Sequence, residues 1–570
     1  MAAGSVEDSK VKLMGEIIKD REDDLRLGDK PSRFVHNGRS ALAFLTMALV
    51  ALMLVRSMQI HADADQASFG AYPDEPSHYL SGLMVRDYIA HGFPGSPVQY
   101  AMNYYLHVPY FAIGHWPPLF YLLEGVWMIV FGTSHAAVLW LIASITALLA
   151  ATIFVIATRF VSVPAAACAG LLFCFIPQVE WSNNLVMTDT SIALLGLWAT
   201  LALGRYLDTG RISFALGFGI LAGLTILTKY TGLYLTLLPF AGVVLCRRWN
   251  LLRRWSFWLP LGVVAIIWLP WLALTQRFVR TGLVPDQFAD FSRLPLYLRS
   301  FARQNGAILG ILLAFAWALT LLKWKRLNGM EAVLLLQPAS ILLMMLVAPV
   351  PSDGRYLVPA LPSLILLMCF ASRNLPEWGM AHRMVFARHW GAVILVAFTI
   401  FYGAWALPSW PRAQHNDLRP IVDFILRSKG LRSASILMPA NADGGMIAEF
   451  AMRDPARAER ILARPNKLLS KSDWNGLNYR FYYTTPSEAE QYFEQNPVDL
   501  LIVRKSPQGD VLPPERLVAE VVKQYPEHWN AVAEFPSETG VYNVFQFASP
   551  ALWNRPTPLF IQRMTSPLTN

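Results

Sequence analysis

Charge is scarce in this chain. Asp, Glu, Lys and Arg make up 15% of its 570 residues, against 54% hydrophobic and 12% aromatic. A chain this apolar, with long apolar runs recurring along it, is excluded from the ordinary soluble proteins and reads as a polytopic membrane protein. Cysteine is scarce too. Cys168, Cys174, Cys246 and Cys369 all lie inside apolar segments at no metal-ligand spacing, which excludes a disulfide framework and a thiolate metal site. Motifs for RNA or DNA are absent, so the net charge of +9 points to anionic lipid or phosphate and not to nucleic acid. There is no internal repeat and no low-complexity tract. Residues 1–40 carry matched acids and bases without the apolar core of a signal peptide, and are expected to form a cytoplasmic tail with frayed helix.

What the chain has in quantity is helix-length apolar sequence. Candidates for crossing a membrane fall near 41–59, 137–157, 163–178, 190–206, 213–228, 231–246, 256–273, 307–322, 331–348, 355–371 and 389–407. That predicts about 11 transmembrane helices. The first, flanked by Arg39 and Arg56, has the form of an uncleaved signal anchor. The run 117–132 stands apart. It is short, opens on two prolines and carries Glu124, so it is expected to lie along the interface or re-enter.

Basic residues set the orientation. With 117–132 left out, the clusters Arg247, Arg248, Arg253, Arg254, then Lys323, Lys325, Arg326, then Arg373, Arg383, Arg388 all share the N-terminal side. Counting that run as a crossing would put them all outside. The expectation is an integral inner (cytoplasmic) membrane protein with its N-terminus in the cytoplasm and its C-terminus periplasmic or extracellular. Residues 41–408 form the membrane domain, with interfacial helices in the first outside loop. After Pro408 the composition turns polar. Strand signals at 434–438, 498–503 and 542–547 alternate with helical patterns at 420–428, 487–495 and 514–524, which predicts a C-terminal extracytoplasmic α/β domain over 409–570. In it, Asn441-Ala-Asp-Gly-Gly445 reads as a loop into a helix N-cap, either plain or anion-binding.

The stretch Tyr72-Pro-Asp-Glu-Pro-Ser-His-Tyr79 gathers two acids, a histidine and two tyrosines at the head of the first outside loop. Pro73 and Pro76 hold Asp74 and Glu75 in a turn or at a helix N-terminus. By the same parity, Asp189, Lys229 and Arg355 end helices on Asp74's side of the membrane. Charges at such boundaries are costly and are functional candidates.

These pieces resemble the glycosyltransferase-C superfamily of the family 39 type, which includes protein O-mannosyltransferases and the bacterial aminoarabinose transferase. The resemblance rests on Asp74-Glu75, His115-Trp-Pro-Pro-Leu-Phe-Tyr121, Asp189 after Pro177 and Gly223-Leu-Thr-Ile-Leu-Thr-Lys229. It continues through Trp268-Leu-Pro-Trp271 and Arg355-Tyr-Leu-Val-Pro-Ala-Leu-Pro362, in family order over about residues 40–372. It implies a polyprenyl-phosphate-linked sugar as donor and transfer at the outer face of the membrane. The acceptor hydroxyl, on a glycan, a lipid or a protein, stays open, as does the sugar.

Such a transfer needs a base for the acceptor proton and cations for the departing phosphate. Asp74 suits the base. Glu75 either assists it or caps a helix. Lys229 and Arg355, with Tyr356 beside them, suit the phosphate, or else snorkel at helix ends. Asp189 either orients a cation or the acceptor, or N-caps its helix. His78, Tyr79, His115 and Tyr121 are candidates for contact with sugar or acceptor. The sequence departs from the family at Trp116, where relatives carry lysine, and at His115, where aminoarabinose transferases carry a metal-binding glutamate. A divalent metal at His115 and Glu75 is therefore an open expectation, with no cofactor certain. Two other classes remain: a flippase or transporter of lipid-linked sugars, which would carry charges at the bilayer midplane, and a non-catalytic subunit of an envelope glycan machine.

Overall fold

The computed structural model describes residues 38–111, 114–281, 288–348, 352–374, 387–406, 418–431, 434–457, 459–471, 479–506, 511–537, 540–548 and 556–569. The expected tail before residue 38, Arg383 of the basic clusters and the boundary at 408–409 lie outside the described residues.

The chain opens with α1 (Gly38–His61), α2 (Asp74–Ala90), α3 (Pro97–His107), α4 (Leu119–Phe131) and α5 (His135–Ala157). Then come α6 (Val163–Phe175), α7 (Pro177–Asn183), α8 (Asp189–Thr209), α9 (Ile212–Thr228), a 3₁₀ helix at Tyr230–Thr236, and α10 (Leu238–Leu245). The membrane part continues with α11 (Trp255–Thr281), α12 (Leu294–Asn305), α13 (Ala307–Leu322) and α14 (Gly329–Val347). A 3₁₀ turn at Gly354–Ala360 leads into α15 (Leu361–Asn374), and α16 (Ala387–Ala406) follows.

Among the described residues, six stretches are long and apolar enough to cross a membrane: Ser40–His61, His135–Ala157, Asp189–Thr209, Trp255–Gln276, Gly329–Val347 and Gly354–Arg373. A seventh forms if α6 and α7, bent by 63° where Pro177 restarts the helix, count as one span. The other sequence candidates fall on shorter apolar helices, Ile212–Thr228, Tyr230–Leu245, Ala307–Leu322 and Gly391–Ala406. The doubtful run 117–132 is α4, whose 13 residues reach only about 20 Å, short of a hydrocarbon core about 30 Å thick.

Glycines let the bundle close. In α9, a Cβ on Gly219 would stand 2.9 Å from Pro260 Cα and one on Gly223 would stand 3.0 Å from Ile267 Cδ1, both of α11. In α8, Gly204 meets the Met330 backbone of α14 in the same way, at 2.7 Å. Small residues admit such backbone approach, which replaces the hydrophobic drive missing in lipid. At one end of the bundle the basic loops meet: Gly329 N–H donates to Asp208 Oδ1 at 2.6 Å, and Arg247 lies over the Trp324 ring at 5.3 Å.

The C-terminal part runs α17 (Leu418–Arg427), β1 (Ile436–Leu437), α18 (Asp443–Arg453), β2 (Leu462–Ala463), α19 (Pro465–Leu468), β3 (Ser470–Lys471) and β4 (Arg480–Phe481). It ends with α20 (Pro486–Glu494), β5 (Leu500–Lys505), α21 (Pro513–Gln524), β6 (Trp529–Ser537), β7 (Gly540–Phe547) and α22 (Pro558–Thr569). Five strands form one mixed sheet in the order β2-β1-β5-β7-β6, with β1 parallel to β2 and β5, and β7 antiparallel to β5 and β6. This sheet shares a core with the first loop. Phe69, Tyr79, Leu83 and Tyr104 pack in one cluster with Ile421, Val422, Met446, Phe450, Ile502 and Val544. The Asn441–Gly445 stretch does start a helix, α18. Tyr110 and Phe69 pack against the glycines of its first turn.

Candidate functional site

Pro73 precedes and Pro76 sits within the first turn of α2, so Asp74 and Glu75 open that helix. Two neighbouring acids then point different ways. Arg355 Nη2 donates to Asp74 Oδ2 at 2.5 Å; the Asp74 side chain keeps 23% of its exposure while that of Arg355 keeps 5%. Glu75 is fully buried. Its carboxylate accepts from Gly70 N–H at 3.2 Å and Val186 N–H at 3.3 Å, and His135 Nε2 lies 3.2 Å from Oε1. Glu75 is therefore a tie between three segments, placed one residue from an acid that is half open.

Arg355 is fixed from several sides. Its backbone N–H donates to Asp353 Oδ1 at 3.0 Å, its Nε faces Asp353 Oδ2 at 3.3 Å, and its guanidinium lies 4.3 Å over the Tyr72 ring. Tyr72 in turn donates to Asp353 Oδ2 at 2.7 Å; burial, only partly offset by the Arg355 charge and reinforced by the Asp353 carboxylate, raises its phenol well above the ordinary range. Gly354 packs closely on α12, where a Cβ would stand 2.7 Å from Ser300 Oγ and Gln304 Oε1 and displace those side-chain ends.

Asp189 begins α8 and Lys229 follows the end of α9. Lys229 Nζ donates to Asp189 Oδ1 at 2.8 Å, while Asp189 Oδ2 is buried and has no hydrogen-bond partner. The Tyr356 ring serves both cations, 4.7 Å from Lys229 Nζ and 5.2 Å from the Arg355 guanidinium. Four charged residues from four separate segments thus form two ion pairs around one aromatic ring. Lys229 and Arg355 are each held by a carboxylate, which is more than a snorkelling cation has.

His78 lies on this side of α2. Its Nδ1 and the Tyr121 hydroxyl are 2.8 Å apart, and its ring stacks on Trp116 at 4.3 Å. Burial, then the positive charges of Lys229 and Arg355, push its pKa well below the ordinary 6.5, so His78 is a neutral imidazole. Tyr79 is one residue further round the helix and belongs to the core. It is fully buried and donates to Thr133 O at 2.6 Å. Tyr121 is equally buried and reaches the site only through His78. His115 stands edge-on to Trp116 at 5.9 Å.

The metal that the resemblance implies does not fit at His115 and Glu75, because the Glu75 carboxylate is committed to three nitrogen partners. Among the described residues, Glu490, Glu494 and His528 bring ligand atoms within 4.8 Å of one another, in the C-terminal part. There Glu490 already faces His528 Nδ1 at 2.7 Å and accepts from Trp529 Nε1 at 2.8 Å.

Asp353, Tyr72 and His135 are the site residues that sequence reasoning did not assign. Asp353 was legible in principle, since Asp-Gly-Arg places a carboxylate two residues before a cation in a turn. His135 gave no signal; a lone histidine after an N-cap serine has no visible partner in sequence.

The family model for dolichyl-phosphate-mannose-protein mannosyltransferases matches residues 115–273. No curated protein sequence matches the chain. Among solved structures, ArnT from Cupriavidus metallidurans bound to undecaprenyl phosphate superposes with a TM-score of 0.57 at 15% identity, over 90% of this chain and 99% of that one. The Archaeoglobus fulgidus oligosaccharyltransferase AglB, in complex with an inhibitory peptide and a dolichol-phosphate, gives 0.51 at 13% identity, over 92% and 77%. The same archaeal enzyme in complex with Zn and sulfate gives 0.53 at 13% identity, over 92% and 76%. The family match and the shared fold bear out the resemblance to the glycosyltransferase-C superfamily of the family 39 type.

Proposed function

We propose that the chain is a membrane glycosyltransferase that moves a sugar from a polyprenyl-phosphate-linked donor to an acceptor hydroxyl at the outer, periplasmic face of the inner membrane. The observation that carries this reading is the convergence of Asp74–Arg355 and Asp189–Lys229 around Tyr356. Two cations at the end of a helical bundle are placed to hold a lipid phosphate at the membrane surface. The similar structures agree in kind, since ArnT there holds undecaprenyl phosphate and AglB a dolichol-phosphate.

In this reading the donor phosphate takes Arg355 and Lys229 from their carboxylates. Asp74, released and partly open, accepts the proton of the acceptor hydroxyl as its oxygen attacks the anomeric carbon. The bond to the phosphate oxygen breaks on the opposite face of the sugar, so the configuration inverts, and the phosphate's new charge stays on the two cations. Asp189 orients Lys229. Glu75 positions the loop and makes no contact with the reacting atoms. The N-terminus is cytoplasmic and residues 409–570 form the extracytoplasmic domain. A strain lacking the chain is expected to accumulate one polyprenyl-phosphate-linked sugar and to lack one glycosylated envelope product; a strain with neither change would refute the proposal.

A further inference from the structure

The turn that carries Asp74 does not hold itself in place. Phe69 and Gly70 precede it, and Gly70, at φ +104°, gives its N–H to Glu75 Oε2 at 3.2 Å. That left-handed backbone favours glycine. The Phe69 ring is fully buried against Tyr79 at 4.4 Å and His135 at 4.6 Å. So the position of Phe69–Gly70 sets where Glu75 sits, and Glu75 is the neighbour of Asp74.

The other side of Phe69–Gly70 is covered by the far end of the chain. Gly445, in the first turn of α18, lies against it: its Cα is 3.7 Å from where a Cβ on Gly70 would stand. A Cβ on Gly445 would overlap the Phe69 carbonyl oxygen, and one on Gly444 would stand 2.5 Å from Tyr110 Cζ. Both glycines are thus required by contact with the first loop. Charged groups fasten the same seam. Arg464 donates to Asp443 Oδ2 at 2.7 Å and lies over Tyr110 at 4.5 Å. Arg419 donates to Ala67 O at 3.0 Å, and Arg457 to Asp87 Oδ2 at 2.9 Å.

We infer that the first turn of α18 is a positioning element of the transferase site: Gly445 seats Phe69–Gly70, which fixes Glu75 and through it the carboxylate of Asp74, while Gly444 beside it packs on Tyr110 of the same loop. The chemistry assigned to Asp74 rests on the glycosyl-transfer reading above; the mechanical link does not. The C-terminal part then governs turnover without touching the donor lipid, whose cations lie just after α9 and in the 354–360 turn.

The test uses the full chain in lipid nanodiscs, with Gly445→Ala and Gly444→Ala beside Gly430→Ala, which adds the same methyl where nothing lies within 4 Å. Three readouts separate the possibilities: amide hydrogen exchange over 69–79 and around 186, affinity for undecaprenyl phosphate, and consumption of the accumulated lipid-linked sugar when the variant is returned to the deletion strain. Gly445→Ala should speed exchange at 70–75 and slow consumption roughly tenfold to a hundredfold, as expected of a displaced catalytic group. Affinity for undecaprenyl phosphate should stay within about twofold, since ground-state binding is untouched. Gly430→Ala should match the wild type. Unchanged exchange at 70–75 in a folded variant, or faster exchange with full turnover, would overturn the inference. If Gly445→Ala fails to fold, Gly444→Ala decides by the same criteria, because it adds its methyl to the same turn of α18 against the Tyr110 side chain and not against the Phe69 backbone. If even the wild type consumes no lipid-linked sugar, the functional reading fails, while the exchange arm still judges the link.

Discussion

At the scale of the residue, the two adjacent acids divide the work by burial. Asp74 keeps solvent access and a single guanidinium partner, while Glu75 is enclosed by three nitrogens. Asp74→Asn keeps the shape and removes the proton acceptor. Turnover on purified protein should fall roughly 10²–10⁴-fold, the usual worth of a general base, with donor affinity little changed; near-normal turnover would move suspicion to Asp189. His78 supplies a pH dependence with a definite sign. Its folded pKa lies well below the unfolded 6.5, so the unfolded chain binds the proton more readily. Stability from neutral His78 is complete above about pH 6.5 and is lost as pH falls below it. Melting temperature in detergent should therefore drop between pH 7 and 5, and His78→Gln should flatten that slope. An equal slope in the variant would assign the acid sensitivity elsewhere. Which charges mattered was legible in the sequence, because charge is rare there and its position relative to apolar runs is informative. Which carboxylate meets which cation was not: Asp74–Arg355 joins residues 281 positions apart, and only tertiary packing chooses that partner over Asp189.

At the scale of the element, glycine placement decides how closely helices pack. Gly217 and Gly219 lie on the same helix, α9, yet nothing lies within 4 Å of a Cβ at 217, whereas one at 219 meets Pro260 Cα at 2.9 Å and Val263 Cβ at 3.0 Å. Gly219→Ala must push α11 away and should cost about 1–3 kcal/mol by overpacking, read as a lower melting temperature in detergent. Gly217→Ala should be neutral or slightly stabilising, since alanine favours helix. Equal effects at both sites would remove contact as the cause. Apolar runs located helices, because their period needs no partner to be visible, but of the 11 expected crossings six or seven are long enough to span among the described residues and the rest fall on shorter apolar helices. In the C-terminal sheet the sequence signals at 434–438, 498–503 and 542–547 lie on β1, β5 and β7. It missed β6, whose Pro536 weakens a strand signal but is tolerated at the sheet edge. It read Asn441–Gly445 as a loop into a helix N-cap, and α18 does begin there, at Asp443, but the packing of Gly444 on Tyr110 and of Gly445 on Phe69 is tertiary and had no signal in the sequence.

At the scale of the whole molecule, the bundle has two unlike poles. One gathers Asp74, Asp189, Lys229 and Arg355; the other joins Asp208 to Gly329 and Arg247 to Trp324, where the basic loops meet. Positive charge is retained on the cytoplasmic side of a membrane, so the basic pole should face the cytoplasm and the ion-paired pole the periplasm. The parity of the chain turns on α4. If it crossed, every later helix would reverse, yet its 13 residues are too short by about 10 Å for an ordinary bilayer. Single cysteines at Asn250 and Ser487, both exposed, in a chain with Cys168, Cys174, Cys246 and Cys369 replaced, report the two poles separately. An impermeant thiol reagent on intact spheroplasts should label Ser487 and spare Asn250 until the membrane is opened. Labelling of Asn250 alone would reverse the orientation, put the lipid-phosphate site on the cytoplasmic face, and require a donor that is consumed before it is flipped.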